Sequence, residues 1–230
     1  MTVFDLYRHN EAKTHNLNYI FWESTLRCPL NCLHCGSECR QESSVKDMPV
    51  SDFVEGIKQI VPIVEPHKTM IVFTGGECLV RHDLEEAGLA MYNLGFPWGI
   101  VTNGYLLTSQ RLNSLLRAGM RSCTISLDGL EASHNWLRQN PHSFQRAAEA
   151  IRLLPRTNLA HDVVTCVNNK NFDELESIKQ LLIECGIKKW RIFTIFPIGR
   201  AANNPELQLP NDKFKAVFDF IEKTRTESIE

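Results

Sequence analysis

The 230-residue sequence predicts an α/β fold built on a parallel sheet of six strands. Two observations lead to this fold class: short apolar or β-branched runs recur along the chain, and helix-period segments separate them in strict alternation. A third is that polar, glycine-rich or cysteine-bearing residues follow each run, as expected where the carboxyl ends of parallel strands form a binding edge. Pattern alone leaves two architectures open, an open doubly wound sheet and a barrel.

The strands are predicted from runs rich in β-branched, aromatic and other apolar residues. Consecutive strand–helix–strand units of this kind form parallel pairs with right-handed crossovers. A chain of this length commonly forms one domain, so we expect a core domain at 19–230 after a lead segment at 1–18. In chain order, the predicted strands cover residues 19–25, 69–74, 98–102, 122–127, 162–167 and 190–196.

Helix boundaries are indicated by capping residues, by glycines that end helices, and by prolines that suit a first turn. The periodic segment 51–64 repeats apolar side chains at helical spacing. The boundaries expected are a cap at Ser51 or Asp52, a start at Thr108 or Ser109 with an end near Gly119, a first turn at Pro141, a helix from near Asp173 to Gly186, and a last helix within 210–223.

Composition excludes several classes of function. The chain has 25 Lys and Arg against 27 Asp and Glu, with no basic run, so nothing indicates binding to nucleic acid or to an anionic membrane. No stretch approaches the roughly 18 consecutive apolar residues of a membrane span, and MTVFDLYRHNEAK at the start has no apolar signal region. We therefore expect a cytoplasmic protein whose cysteines are free or bind metal.

The stretch RCPLNCLHCGSEC, residues 27–39, contains a dense group of cysteines. Cys28, Cys32 and Cys35 have the spacing C-x-x-x-C-x-x-C. Structural zinc sites usually draw on two cysteine pairs separated by about 12 or more residues, whereas three thiolates on one loop can each bind one corner of a 4Fe-4S cluster. The fourth iron then has an open position for a chelating small molecule. A zinc site, or a redox-active thiol loop at Cys32 and Cys35, is the alternative.

The loop CPLNCLHC resembles the signature of the radical S-adenosylmethionine (SAM) enzymes. TGGEC at 74–78 resembles the GGE motif of that superfamily, and SLDG at 126–129 followed by HNWLRQN is similar to its sulfatase- and peptide-maturase branch, which often carries a C-terminal SPASM domain. The resemblance extends from the first strand to the sixth and implies a partial TIM-like barrel of six βα units. No second cysteine group of the SPASM type follows, so we expect either a fragment or a minimal core.

The resemblance implies that Cys28, Cys32 and Cys35 hold a 4Fe-4S cluster whose remaining iron binds SAM. One electron, from a donor such as flavodoxin or ferredoxin, would cleave SAM to a 5′-deoxyadenosyl radical that abstracts hydrogen from a substrate. The branch implies a peptide or protein substrate. The alternatives are a radical SAM enzyme of small-molecule rearrangement or cofactor synthesis, and a non-catalytic iron–sulfur or zinc protein.

The same resemblance implies a set of SAM contacts at the ends of the strands, and no general base is assigned. From the residue types alone, the glycines could form a plain turn, Glu77 could be solvated, Ser126 and Asp128 could cap a helix, and Arg138 could lie on a helix surface. The implied contacts are Gly75 and Gly76 for close backbone approach, Glu77 for the ammonium group, Asn103, Ser126 and Asp128 for other polar atoms, Arg138 for the methionine carboxylate, and Pro197, Ile198 and Gly199 for adenine.

The remaining cysteines receive other interpretations. A thiol inside a strand or on an apolar helix face usually behaves as a small hydrophobic group. We therefore expect Cys123, Cys166 and Cys185 in the core, Cys39 as a thiol near the cluster, Cys78 in place of the proline common after GGE, and His34 in the aromatic position before the third cluster cysteine.

Overall fold

The computed structural model describes residues 2–227 and contains a half-barrel of six parallel strands in the order β1 to β6. The predicted α/β partial barrel is therefore confirmed, and the alternative of a doubly wound sheet, in which the strand order reverses, does not apply. The strands are β1 Tyr19–Glu23, β2 Met70–Thr74, β3 Trp98–Thr102, β4 Met120–Ser126, β5 Ala160–Val167 and β6 Trp190–Thr194.

Each strand lies beside the next one in the sequence, so the strand order does not reverse anywhere in the sheet. The first and sixth strands end two residues before the predicted ends, where the chain turns into the loops above the sheet. The fourth and fifth strands begin two residues earlier than predicted, because Met120 pairs with Trp98 and Ala160 pairs with Ser122.

Eight helices are described: α1 Val3–Thr14, α2 Val50–Ile60, α3 Leu84–Asn93, α4 Ser109–Arg117, α5 Glu131–Arg138, α6 Ser143–Leu153, α7 Leu175–Glu184 and α8 Asn211–Glu227. Helix α1 was not predicted, although its capping box, in which Thr2 and Asp5 bond each other's backbone, is a recognisable sequence signal. The Thr108 cap is confirmed, because its side chain accepts a hydrogen bond from the Arg111 backbone N–H.

Two predicted helix starts are wrong. Helix α2 begins after Pro49 and has no side-chain cap, so neither Ser51 nor Asp52 caps it. Proline fixes φ near the helical value, and it serves here as the residue that turns the chain into the helix. Pro141 lies outside a helix, because α6 begins at Ser143 after His142.

The main core lies between the convex face of the sheet and the helices. Phe73 on β2 packs edge-on against Trp22, with 5.3 Å between ring centroids, and stacks with Trp98 at 5.2 Å. Because side chains alternate along a strand, the intervening residues face the concave side. Tyr19 and Phe21 on that side remain 61% and 64% exposed.

Among residues 2–227, no helix is both long enough and apolar enough to cross a membrane.

Candidate functional site

A cavity of about 240 Å³ opens at the carboxyl ends of the strands. It lies where the loops after β1, β2, β3 and β4 meet, which is the edge at which parallel α/β folds bind ligands. The residues of the predicted site that line it are Cys28, Cys32, Cys35, Gly75, Gly76, Asn103, Ser126 and Arg138. The structure therefore brings the three predicted cluster thiols together with half of the predicted SAM contacts.

The cysteine loop is held to the rest of the rim by backbone hydrogen bonds. The Cys28 N–H donates to the Arg40 carbonyl at 2.7 Å, and the Leu33 N–H donates to the Leu137 carbonyl at 2.9 Å. These bonds close the loop on itself and fix it to the end of α5. The thiols therefore occupy defined positions.

The thiols differ in acidity. Burial raises the pKa of Cys28 to about 12 and also raises the pKa of Cys32. The neighbouring Cys39 thiol is the main reason that the pKa of Cys35 falls to about 5. A metal ligand has to be a thiolate, so binding at Cys28 and Cys32 releases protons.

Gly75 and Gly76 form the turn that supports the cysteine loop from below. Gly75 has φ +133, and a Cβ at this position would lie 2.4 Å from the Thr25 carbonyl oxygen. A Cβ at Gly76 would lie 2.4 Å from the Arg27 carbonyl oxygen. Glycine is thus required so that the two loops can approach each other, independently of any ligand.

Glu77 is 1% exposed and does not face the cavity. One carboxylate oxygen accepts hydrogen bonds from Thr102 Oγ1 at 2.7 Å and from the Leu79 N–H at 3.1 Å, and the other accepts one from the Asn103 N–H at 2.8 Å. Burial raises the pKa of Glu77, and these hydrogen bonds oppose the rise. Glu77 joins the loops after β2 and β3, and its contact with the SAM ammonium stays a prediction.

The position of Asn103 depends on Glu77. Its backbone is fixed by Glu77, and its side-chain Nδ2 lies 3.6 Å from the Cys28 sulfur. An amide that donates to a thiolate stabilises the charged form of the ligand. Asn103 is therefore placed to act on the cysteine group as well as on a ligand in the cavity.

Arg138 is a buried residue of the site, with 7% of its surface exposed. Its Nη2 lies 2.5 Å from Asp128 Oδ2, and its Nη1 lies 3.7 Å from the Cys32 sulfur. Its Nε is buried without a hydrogen-bond partner among the residues described. The interpretation of Arg138 as an ordinary surface residue of a helix is therefore excluded.

Asp128 lies behind Arg138, 1% exposed, and does not line the cavity. Its Oδ1 accepts a hydrogen bond from the Cys166 N–H at 2.9 Å. Burial alone would raise the pKa of Asp128, but Arg138 and two nearby histidines outweigh it and hold this pKa below its ordinary value. Asp128 orients Arg138 in this structure, and its contact with SAM stays a prediction.

His34 and Cys166 surround the same carboxylate. Their ligand atoms and those of Asp128 lie within 4.8 Å of one another, and burial lowers the pKa of His34 to about 4. Cys166 is partly buried and packs against a smaller apolar cluster that includes Leu137 and Ile195, and its sulfur also lies near Asp128 and His34. Cys123 and Cys185 pack in or against the main core as expected.

The segment after β6 packs on the cysteine loop. Gly199 has φ +56, and a Cβ there would lie 2.3 Å from the Gly36 carbonyl oxygen and 2.6 Å from that of Cys35. Ile198 is 62% exposed. Pro197, Ile198 and Gly199 do not line the cavity, so their contact with adenine stays a prediction.

Arg200 is a site residue that sequence reasoning missed. Its Nε donates to the Cys32 carbonyl at 2.7 Å, its Nη1 to the Cys39 carbonyl at 2.9 Å, and its backbone N–H to the Cys35 carbonyl at 3.0 Å. The available signal was its position directly after a strand-end glycine at the binding edge. Arg200 fixes the backbone of three cysteines and lines the cavity itself.

These residues fit a 4Fe-4S cluster with a further ligand. Thiolate sulfur is the donor that such clusters use, and three thiols of one loop line a single cavity. Cys78, which follows the GGE turn, is fully buried in the core and is directed away from this set. The cavity also offers Asn103, Ser126 and the unpartnered Arg138 Nε to polar groups of a ligand.

A second cavity of about 550 Å³ lies on the concave face of the sheet. Tyr19 and Phe21 line it at the β1 edge, and Lys189 and Arg191 line it at the β6 edge. Arg191 pairs with Asp162, and its Nη2 donates to Thr124 Oγ1 at 3.1 Å. Val101 lines both cavities, so the concave face lies next to the cysteine site.

Comparison with protein families gives a match to the model described as the Radical SAM superfamily, over residues 22–182. The "AdoMet-dependent heme synthase" of Methanosarcina barkeri is 27% identical over 220 residues, which cover 95% of this chain and 62% of the relative. The protein of the same name from Oleidesulfovibrio alaskensis is 29% identical over 203 residues, covering 88% and 52%. The chain thus spans between about half and three-fifths of the length of these curated relatives.

Solved structures share the fold. Streptococcus suis SuiB bound to S-adenosylmethionine superposes with a TM-score of 0.71 at 14% identity, covering 96% of this chain and 52% of that chain. The anSMEcpe structure with bound AdoMet and Kp18Cys peptide superposes with a TM-score of 0.75 at 16% identity, covering 91% and 61%. At these identities the likeness concerns the fold alone.

Proposed function

Because this chain belongs to the Radical SAM superfamily, we propose that it is a radical SAM enzyme that cleaves SAM reductively and modifies a substrate held on the concave face of the sheet. The observation that carries the proposal is the convergence of Cys28, Cys32 and Cys35 on one cavity that also contains Asn103 and Arg138. Three thiols of one loop, beside the unpartnered Arg138 Nε, favour a cluster with a further ligand over a closed structural zinc site.

Cys28, Cys32 and Cys35 would hold a 4Fe-4S cluster, with SAM on the iron that they leave open. When bound, these cofactors supply one-electron cleavage of the sulfonium and a 5′-deoxyadenosyl radical for hydrogen abstraction. The chain itself supplies the ligands, their orientation and the exclusion of water. We place the protein in the cytoplasm, with an electron donor such as flavodoxin or ferredoxin, in keeping with the need for reduced thiols and low-potential electrons.

The residues around the cavity provide the polar contacts for SAM. Arg138, held by Asp128, has a free Nε and can bind a carboxylate with a charge-assisted hydrogen bond. Ser126 and Asn103 offer a hydroxyl and an amide at the cavity wall. Gly75 and Gly76 expose backbone there, and Glu77 keeps Asn103 in position from behind.

For the substrate, we favour a small molecule with an apolar ring system and carboxylate groups. The concave cavity joins aromatic side chains at one edge, Tyr19 and Phe21, to the cationic Lys189 and Arg191 at the other. The names of the relatives, heme synthases, concern molecules of this chemistry, because a heme carries carboxylates on an apolar macrocycle. This is the cofactor-synthesis alternative among the expectations from sequence.

A peptide or protein substrate, the first expectation from the sequence, is the second candidate. The observation that favours it is the openness of the concave face, where Tyr19, Phe21 and Phe193 are 61%, 64% and 49% exposed. An extended peptide could lie along these rings. SuiB has been crystallised with its precursor peptide SuiA, but that similarity concerns the fold.

The activity is tested by anaerobic loading of the chain with iron and sulfide, followed by reduction with dithionite in the presence of SAM. We expect release of 5′-deoxyadenosine from the wild type and from Cys185→Ala, which lacks a thiol at the end of α7. We expect none from Cys32→Ala. Cleavage by Cys32→Ala at the wild-type rate would overturn the ligand assignment, and absence of cleavage in the loaded wild type would overturn the activity.

A further inference from the structure

Cys39 is a fourth thiol at the site, outside the C-x-x-x-C-x-x-C triad. It lines the same cavity as Cys28, Cys32 and Cys35. Only 4% of its surface is exposed, and with Cys28 and Cys32 it forms a small buried cluster around Leu30. The Cys39 thiol donates a hydrogen bond to the Ser37 carbonyl at 3.8 Å, within the same loop. A thiol that merely happened to follow the loop would not be expected to turn back into the cavity.

The position of Cys39 is fixed from several sides. Its carbonyl accepts a hydrogen bond from Arg200 Nη1 at 2.9 Å, and the carbonyl of the next residue, Arg40, accepts one from the Cys28 N–H at 2.7 Å. A Cβ added at Gly76 would lie 3.0 Å from the Cys39 Cβ, so the glycine turn also packs against it. Arg200 donates hydrogen bonds to the carbonyls of Cys32, Cys35 and Cys39. Cys28 is joined to this group through its bond to Arg40, so the four cysteines form one structural unit.

We propose that Cys39 is a displaceable fourth thiolate, which binds the iron left open by the triad when SAM is absent. The inference rests on the proposed function. Thiolate is a good ligand for this iron, and Cys39 lines the cavity that would hold it, whereas SAM has to arrive from solution. On binding the iron, the Cys39 thiol would release its proton to solvent, and on displacement by the amino and carboxylate groups of SAM the thiolate would take up a proton again. Without SAM, the resting cluster would be closed by four thiolates and protected from loss of its fourth iron.

Two consequences separate this role from simple packing. Without SAM, each of the four irons of the wild-type cluster has a cysteine thiolate as its outer ligand. In a chain that lacks the Cys39 thiol, one iron has no cysteine ligand. Because SAM has to compete with the thiolate, its apparent affinity in the wild type is reduced by the fraction of closed cluster. Removal of Cys39 therefore tightens SAM binding, the opposite of the effect of general damage.

The experiment uses wild type, Cys39→Ala, Cys39→Ser and the control Cys185→Ala, each loaded anaerobically with ⁵⁷Fe and sulfide. Mössbauer spectra without SAM are expected to show a distinct iron site in both Cys39 variants and in neither wild type nor control. SAM titrations are expected to give a dissociation constant several-fold lower in the Cys39 variants. Serine keeps the shape of the side chain, so a packing defect in the alanine variant can be recognised.

Identical spectra and equal SAM affinities in all four proteins would overturn the role of Cys39 and leave the triad intact. Complete loss of the cluster in both Cys39 variants would also overturn it, because a displaceable ligand is not needed for assembly. Failure of the proposed function has a different signature: the wild type itself would then take up no iron–sulfur cluster.

Discussion

Arg138 and Asp128 form a buried ion pair, with 2.5 Å between Nη2 and Oδ2, that connects the end of β4 to the last turn of α5. The same guanidinium lies 3.7 Å from the Cys32 sulfur. Asp128 therefore fixes the cation that faces both the cysteine group and the cavity. Asp128 can therefore affect ligand binding through Arg138 without touching the ligand itself.

Replacement of Arg138 by methionine leaves the Asp128 carboxylate buried and unpaired. Breaking a buried pair in this way is expected to lower the free energy of unfolding by about 3–5 kcal/mol, measured by urea denaturation of the metal-free chain. The Arg138→Met/Asp128→Asn double variant is expected to regain much of that stability without regaining SAM binding. Recovery of SAM binding in the double variant would show that Arg138 does not contact SAM.

His134 is expected to make stability depend on pH. Its Nδ1 accepts a hydrogen bond from the Asp128 N–H at 2.9 Å, so the ring hydrogen is on Nε2, 3.0 Å from Ser143 Oγ. Burial lowers the pKa of His134 to about 3. The unfolded chain binds this proton below its ordinary pKa near 6.5, but the folded chain does not. The free energy of unfolding is therefore expected to fall as pH decreases from 6.5 towards 3, by up to about 1.4 kcal/mol per pH unit from this residue.

The matched variant for this titration is His134→Gln, which cannot take up the proton. We expect its unfolding free energy to depend less steeply on pH in the same window, by about one proton. Urea titrations of the metal-free chain between pH 7 and pH 4.5 provide the measurement. An equal slope in variant and wild type would mean that His134 titrates alike in the folded and unfolded chains.

Gly199→Ala is expected to disturb the cysteine loop from the opposite side of the barrel. The added Cβ would lie 2.3 Å from the Gly36 carbonyl oxygen, at φ +56. The segment would have to move, and with it Arg200, so we expect faster loss of iron from the loaded protein when a chelator is added. Gly56→Ala on α2 is the control, because nothing lies within 4 Å of its added Cβ. Alanine there is expected to stabilise the helix by about 0.5–1 kcal/mol.

The Gly199→Ala prediction is contradicted if iron is retained equally in the two glycine variants. In that case the loop would tolerate displacement of the β6 rim, and Arg200 would not be needed to hold it.

The concave face gives a prediction about the substrate. If it binds carboxylates, Lys189→Gln together with Arg191→Gln is expected to weaken binding of hemin, an apolar macrocycle with carboxylates, followed by its absorbance, and to reduce the salt dependence of that binding. Lys58→Gln on the exposed face of α2 is the control for loss of charge. Unchanged binding in the double variant, or no binding by the wild type, would contradict the small-molecule substrate and favour the peptide alternative.

The fold and the cysteine site were predictable for definite reasons. Strand and helix periods are local properties, and the spacing of Cys28, Cys32 and Cys35 lies within eight residues. Glu77, Asp128 and Arg200 were different cases. Their hydrogen bonds cross from one βα loop to another, and such contacts cannot be read from a local pattern. The sequence therefore indicated that Glu77 and Asp128 lie at the binding edge, but not that they are buried behind the cavity wall. It also did not indicate that Arg200 binds the cysteine carbonyls.

Caps and starts of helices were the least predictable local features. Ser51 and Asp52 have the right chemistry for a cap, but Pro49 turns the chain into α2 two residues earlier. Cys166 also donates its backbone N–H to Asp128, 38 residues away in the sequence, and strand alternation alone could not indicate this contact.

The central claim is that three thiols hold a cluster with an iron that SAM chelates. Electron–nuclear double resonance on the reduced, loaded protein, with SAM labelled at the methionine nitrogen and carboxylate, tests it most directly. We expect hyperfine coupling of both labels to the cluster in the wild type. A loaded protein that binds SAM without coupling to either label would contradict the account.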